Sequence, residues 1–362
     1  MERSSSDKDK YFMKNALNIS LRGRGNTYPN PSVGVVVVKN NKILSRGWTQ
    51  PGGTPHAEVI ALKKKNLSGA TLYTTLEPCN HYGKTPPCTK QIINSKIKRV
   101  VIGIKDPNPI INGEGIKELK KNKIKVTLGV LKNEIKKINL GFIYKIKKNK
   151  PFVSSKIAIS KNGKMINYNK GWITSESSRN YGNFIRSKYD AILTGINTVL
   201  EDNPLLNCRQ NGMTTFSPVR FILDTKLRIK TNLKIVKSAK KIKTFIITNR
   251  YDKKKFLNLS KFKIKVLIFN DNLKRIDLEK VLFEIAKLGF NSVLLESGPN
   301  LNYAFLKKKL INKIYYFQSN KMINSKLIPA EKKINIKKIE KLMFKNISTN
   351  YIDEDIFKVY EK

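Results

Sequence analysis

One histidine and two cysteines stand where a catalytic metal could use them. His56 lies in PHAEV (residues 55–59), and Cys79 and Cys88 lie in LEPCNHYGKTPPC (residues 76–88). An imidazole and two thiolates form a three-ligand set that leaves the fourth tetrahedral position of Zn²⁺ open for water, which is what catalytic zinc requires. Glu58 follows His56 by two residues at the start of a predicted helix, close enough to face the metal without ligating it and to shuttle a proton. The alternatives are buried core cysteines or a structural zinc site. The second needs a fourth protein ligand, and its local candidate is His81, the other of the chain's 2 histidines.

The order H-x-E, then P-C and a second Cys, resembles the zinc nucleoside and nucleobase deaminase superfamily. The resemblance implies that Glu58 takes a proton from water as the hydroxide attacks an amine-bearing ring carbon, then delivers it so that ammonia leaves. Cytidine and tRNA adenosine deaminases space the two cysteines as C-x-x-C, whereas eight residues separate Cys79 from Cys88. That insertion, with PNPSVG at 29–34 and DPNP at 106–109, resembles the deaminase of riboflavin biosynthesis. By this resemblance Asn30 contacts a pyrimidine, and His81 and Lys84 contact its ring or its ribose phosphate. One departure stands out: Thr49 occupies the place where many relatives carry a histidine.

No G-x-G-x-x-G opens the second half, so a standard dinucleotide fingerprint is absent. LLESGPNLNYAFL reads as a strand, a Gly-Pro turn and a helix start that would aim backbone N–H groups at a phosphate. Taken with SSKIAIS, GWITS, FIRSKYDAILTGINTVLEDNPLLNCR and FILDTKLR in that order, it resembles the reductase of the same pathway. The implied fold is dihydrofolate-reductase-like and the implied cofactor NADPH, lined by Ala158, Trp172, Thr198, Asp202, Thr225 and Gly298. Lys156, Lys170, Thr174, Arg186, Leu206, Arg209 and Glu296 would hold the substrate, the arginines pairing with its phosphate. Asp202 would lie between the two groups. Singly, Trp172 and Leu206 also read as core and Arg186 as a helix-surface charge. Asn162 replaces a usual Asp, and Lys170 stands where a substrate-binding Ser is expected. A second domain kept only for packing is the alternative that these departures raise. Cys208 has no assigned role beyond a free thiol.

These residues need a scaffold. YFMKNALNISL reads as a helix, SVGVVVV and KILSRGW as a hairpin joined by Asn40-Asn41, and the segment from AEVIALKKK to EIKKINLGFIYKI as helices alternating with strands. That pattern predicts a layered α/β domain over 1–146, cytidine-deaminase-like by the resemblance. After KIKKNK, Pro151 opens a second α/β domain, placed at 147–362, with strands at FVSSKIAIS, DAILTG, VRFILD, KTFIITN, KVLIF and NSVLLES. The Lys/Ile-rich tail after about Asn320 resists assignment.

The length of 362 residues suits two ordinary domains. With 72 Lys and Arg against 26 Asp and Glu, the formal net charge is +46. The cations are mostly Lys, spread end to end beside abundant Ile and Asn, residues with A/T-rich codons. Coding bias accounts for this without a patch of the kind nucleic-acid binders carry. A small pyrimidine ribose-phosphate is therefore the expected partner, with no specific nucleic acid and no membrane. A homo-oligomer is compatible with the sequence, and a zinc deaminase of tRNA type is the alternative reading. The polar start, the lack of an apolar span and an odd number of cysteines suit the cytoplasm.

Overall fold

The computed structural model describes residues 4–83, 86–109, 111–165, 171–269, 275–323 and 335–362. Lys84 and Lys170 lie outside the described residues. The chain divides into two compact units, Met1–Lys150 and Pro151–Lys362.

The first unit is built on strands β1 (Gly34–Lys39), β2 (Lys42–Trp48), β3 (Thr71–Leu76), β4 (Arg99–Ile104) and β5 (Lys125–Leu128), in the order β2-β1-β3-β4-β5. The β1–β2 hairpin turns through Asn40 and Asn41, both at positive φ (51° and 57°), a conformation asparagine tolerates well. β1 is antiparallel to both neighbours, and β3, β4 and β5 run parallel. Val35, Val36 and Val37 are fully buried, so β1 is covered on both faces, and a continuous apolar run replaces alternation there. Two glycines admit the helices closely. A Cβ on Gly34 would lie 2.0 Å from the Ala16 carbonyl oxygen, and one on Gly47 would lie 2.1 Å from that of Ala57. The second contact seats helix Ala57–Ala61 on β2 and so sets the height of Glu58.

Two elements differ from expectation. The first helix begins at Ser5, because the Ser4 side chain accepts a hydrogen bond from the Asp7 amide (3.2 Å) and caps a polar turn that shows no apolar period. The segment expected as one helix over residues 134–146 is two, Lys132–Ile138 and Leu140–Lys148. They part at buried Asn139, whose amide accepts from Ser32 N (3.1 Å) and donates to Ser32 O (3.3 Å).

The second unit holds β6 (Phe152–Ile159), β7 (Ala191–Gly195), β8 (Val219–Leu223), β9 (Thr244–Thr248), β10 (Lys265–Ile268), β11 (Ser292–Leu295), β12 (Lys313–Gln318), β13 (Lys345–Ile352) and β14 (Asp355–Glu361). They form one sheet in the order β10-β9-β8-β7-β11-β6-β12-β14-β13. From β10 to β12 the strands are parallel, and β14 and β13 close one edge antiparallel. After β7 the chain steps outward through β8, β9 and β10, then returns as β11 between β7 and β6. Open α/β sheets bind ligands outside the carboxyl ends of their strands at such a reversal.

Candidate active sites

The first site assembles where β3 ends and two helices begin. His56 is the N-cap of Ala57–Ala61, Cys79 follows β3, and Cys88 opens helix Cys88–Asn94. His56 Nδ1 lies 3.3 Å from Cys88 Sγ and 3.6 Å from Cys79 Sγ, and the three donor atoms all fall within 4.8 Å of one another. With Zn–S of about 2.3 Å and Zn–N of about 2.0 Å, a tetrahedral centre sets its N and S ligands about 3.6 Å apart, so this donor set fits zinc. No fourth His, Cys, Asp or Glu joins the group among the described residues. His81 is exposed on the inserted segment and outside it, so the structural-zinc alternative loses its local ligand.

The ligands are chemically prepared. The two thiols act as a pair: the hydrogen bond between them, with His56 adding to it, holds Cys79 below the ordinary thiol range, while the same bond and burial hold Cys88 above it, so together they favour one thiolate. The Cys88 amide also points at Cys79 Sγ (3.5 Å). Glu58 is 4% exposed, and burial lifts its carboxyl above the usual range while His56 opposes. Thr74 on β3 donates its hydroxyl to the Leu76 carbonyl (2.9 Å) and stands 3.3 Å from Glu58 Oε1, placed to accept from that carboxyl when it is protonated. Such a carboxyl can exchange protons with a group at the metal.

Asn30 is brought to the same place, its amide nitrogen 3.4 Å from His56 Nε2 and donating to the Gly53 carbonyl (2.8 Å). Thr49 is buried, and its hydroxyl accepts from the Val33 amide (3.0 Å), which makes it part of the scaffold rather than of the site's surface. One residue went without an assigned role although its motif was noted. Asp106 of DPNP is buried and feels the charges of Cys79 and His81, and burial, ahead of Glu77's repulsion, raises its carboxyl to about 6.

In the second unit the expected residues gather at the carboxyl ends of the strands around the reversal. Lys156 and Ala158 lie on β6, Thr198 and Asp202 on helix Ile196–Asp202 after β7, Thr225 two residues past β8, and Glu296 directly after β11. Gly298 is the N-cap of helix Pro299–Lys307, which has no side-chain cap, and its amide meets Thr198 Oγ1 (3.3 Å). An uncapped helix start beside a hydroxyl suits a phosphate. Thr194 Oγ1 and Asp224 Oδ1, near the ends of neighbouring β7 and β8, are buried without a hydrogen-bond partner among the described residues.

Arg186 is not a surface charge. Its Nε and Nη2 grip Glu296 (2.7 and 2.8 Å), and its Nη1 donates to Asn183 Oδ1 and Asn207 O (both 3.0 Å). Burial alone would raise the Glu296 carboxyl, yet Arg186 holds it below its ordinary value. Burial also lowers the Lys156 ammonium, against Glu296's pull. Arg209 is exposed, the freer of the two arginines. Thr174 is buried, with its carbonyl accepting from Arg179, and Leu206 is buried as well. Trp172, read alternatively as core, is 69% exposed, with the Arg179 guanidinium 4.7 Å from its ring centre. Asn162 bridges Ser160 (2.6 Å) and the Ile323 carbonyl (3.0 Å), a loop contact. Cys208 is a buried free thiol. A separate groove of about 620 Å³ lined by Tyr181, Phe184 and Phe357 contains none of the expected site residues.

The first fold and site define a zinc-dependent deaminase, and the second an open, mostly parallel α/β sheet whose strand order reverses after β7. Comparison with known proteins agrees. The profile of the cytidine and deoxycytidylate deaminase zinc-binding region matches residues 6–104, and that of the RibD C-terminal domain matches residues 151–352. Riboflavin biosynthesis protein RibD of Actinobacillus pleuropneumoniae is 37% identical over 357 residues, 96% of this chain and 94% of the relative. The RibD of Aquifex aeolicus is 37% identical over 92% of this chain and 96% of its own. The crystal structure of a diaminohydroxyphosphoribosylaminopyrimidine deaminase/5-amino-6-(5-phosphoribosylamino)uracil reductase from Thermotoga maritima superposes with a TM-score of 0.85 at 32% identity, covering 99% of each chain. The chain belongs to the RibD family, the bifunctional deaminase/reductases of riboflavin biosynthesis. Zinc and NADPH are the cofactors of its two units, and its substrate is a small pyrimidine.

Proposed function

We propose that the unit ending at Lys150 deaminates 2,5-diamino-6-ribosylamino-4(3H)-pyrimidinone 5′-phosphate and that the unit beginning at Pro151 reduces the ribosyl group of the product to ribityl. The observation that carries the reading is the three-ligand cluster of His56, Cys79 and Cys88 with a buried Glu58 carboxyl beside it. Held by these ligands, zinc supplies the Lewis acidity that makes water nucleophilic near neutral pH. Glu58 accepts a proton from the attacking water and passes it to the departing amine, which leaves as ammonia. Thr74 is placed to accept from the carboxyl when it is protonated. Asn30, beside His56, orients the pyrimidine, and His81 and Lys84 on the inserted segment reach its ring or phosphate. Asp106, whose carboxyl feels the charges of Cys79 and His81, is assigned to the same site.

In the second unit NADPH supplies hydride to the anomeric carbon of the opened ribosyl imine, so the protein's task is orientation more than activation. Ala158, Trp172, Thr198, Thr225 and Gly298 bind the cofactor at the strand ends, with Asp202 between it and the substrate. Lys156, Lys170, Thr174, Leu206 and Arg209 hold the pyrimidine phosphate. Arg209 and Arg186 pair with the phosphate, and Glu296, bound bidentately by Arg186, completes the substrate site. The reading needs no polynucleotide, and the lysines are spread along the whole sequence rather than gathered in one stretch.

The test is a coupled measurement of ammonia release and NADPH oxidation with that pyrimidine. A zinc-loaded, folded protein that does neither sinks the proposal.

A further inference from the structure

Arg220, the second residue of β8, is fully buried, and no carboxylate pairs with it among the described residues. Desolvating a cation without a counter-ion is costly, so what its donors hold bears on why it is there. Nε and Nη2 donate to Thr244 Oγ1 (3.0 and 2.8 Å), and Nη2 also reaches the carbonyls of Ile235 (3.0 Å) and Ile242 (3.1 Å). Nη1 donates to Ser238 Oγ and to the carbonyl of Leu205 (both 2.8 Å). All but the last of these partners belong to the start of β9 and the segment before it. The last reaches into the chain that follows helix Ile196–Asp202 and carries Leu206 and Arg209.

A second arginine grips that segment two residues on, where Arg186 Nη1 donates to Asn207 O (3.0 Å). Ser217 Oγ then accepts from the Cys208 amide (3.1 Å). Leu206, between the two gripped carbonyls, has a φ of 49°, a left-handed conformation that branched side chains avoid. Such strain persists only where the surroundings over-determine the backbone, and here two guanidinium groups do so from either side.

We propose that Arg220 is a positioning residue for the reductase substrate: with Arg186 it fixes the backbone of residues 205–209, which sets Leu206 and Arg209 against the pyrimidine phosphate. This rests on the assignment of Leu206 and Arg209 to the substrate site. Arg220 itself touches neither substrate nor cofactor.

The experiment uses the full chain with zinc bound, the deaminated pyrimidine and NADPH. Arg220→Lys keeps the charge but replaces a planar fork of five N–H donors with a compact group of three, which cannot serve Leu205, Ile235 and Ile242 together. The expected result is a KM for the pyrimidine raised about tenfold or more, because small misplacements of positioning groups are amplified in this way. The NADPH dissociation constant stays within about twofold, as does ammonia release by the other unit. A pyrimidine KM that does not move, or one that rises together with the NADPH constant, overturns the proposal in favour of simple structural support. Should the variant not fold, hydrogen exchange on the wild-type chain decides. The Cys208 amide must open together with that of Ile242, and a Cys208 amide that exchanges freely while Ile242 stays protected overturns the coupling. A wild-type protein that cannot reduce the pyrimidine at all would instead remove the substrate assignment on which the proposal rests.

Discussion

His56 Nδ1 stands 3.3 Å from Cys88 Sγ, across 32 positions of sequence. Two helix starts bring them together, His56 capping one and Cys88 opening the other. With zinc bound, this pair becomes one edge of a coordination tetrahedron. Removing zinc with a chelator should therefore abolish ammonia release and leave the protein folded, because the core of Val35 to Val37, Leu72 and Ile102 does not depend on the metal. Added zinc should restore activity, while NADPH oxidation with supplied deaminated pyrimidine continues throughout. Metal analysis alongside both assays checks this, and loss of both activities on chelation would contradict separate sites.

Glu58→Gln keeps the shape and the contact with Thr74 but cannot carry a proton. General acid–base groups contribute about 10²- to 10⁴-fold, so kcat for deamination should fall by that factor. Zinc content and the reductase rate should match the wild type. If the variant lost zinc instead, Glu58 would have to be counted among the ligands.

How far the sequence discloses these sites depends on whether a residue acts through local spacing or through tertiary contact. His56, Glu58, Cys79 and Cys88 are legible because metal chemistry demands those residue types, and the β1–β2 hairpin is legible because two asparagines mark its turn. The helix break at Asn139 is not, since its cause is a pair of hydrogen bonds to Ser32, 107 positions away. β12, with β6 on one side and β14 on the other, also went without a strand assignment. Its KIYYFQ is six residues, aromatic-rich and bounded by Asn312 and Ser319-Asn320, so the strand signal is present there despite the Lys-rich surroundings. Arg186 looks like an ordinary charge on a polar helix face until the fold places Glu296 against it, 110 positions later. Thr49 reads as a missing histidine, and only the contact with Val33 shows that it is part of the frame.

Trp172 offers an optical report on the second site. The chain has 2 tryptophans, and Trp172 is 69% exposed beside Arg179. If the nicotinamide cofactor binds against it, NADPH should quench its emission saturably. Trp48→Phe should preserve the quench, and Trp172→Phe should remove it. Trp172→Ala should weaken NADPH binding about twofold to twelvefold, in keeping with about 0.5–1.5 kcal/mol for the loss of an aromatic contact. A quench of the same size in Trp172→Phe, carried by Trp48 alone, would place the cofactor elsewhere.

The Arg186–Glu296 pair should give the second unit a defined acid sensitivity. Both side chains are 14% exposed, and their hydrogen bonds are bidentate. Glu296→Gln leaves a buried guanidinium without its counter-charge and should cost about 3–5 kcal/mol at pH 7. The wild-type carboxyl is held below its ordinary value, by Arg186 against the opposing effect of burial. A depressed carboxyl stabilises the fold fully above its unfolded pKa of about 4.3 and loses that contribution as pH falls through the lower folded value. The gap between wild type and Glu296→Gln should therefore be constant from pH 7 to about pH 5 and narrow below about pH 4, where protonation makes the wild type resemble the variant. Urea unfolding followed by Trp172 emission in a Trp48→Phe background reads this unit alone. A gap that persists undiminished at low pH would show that the carboxylate's charge is not what binds Arg186 in place.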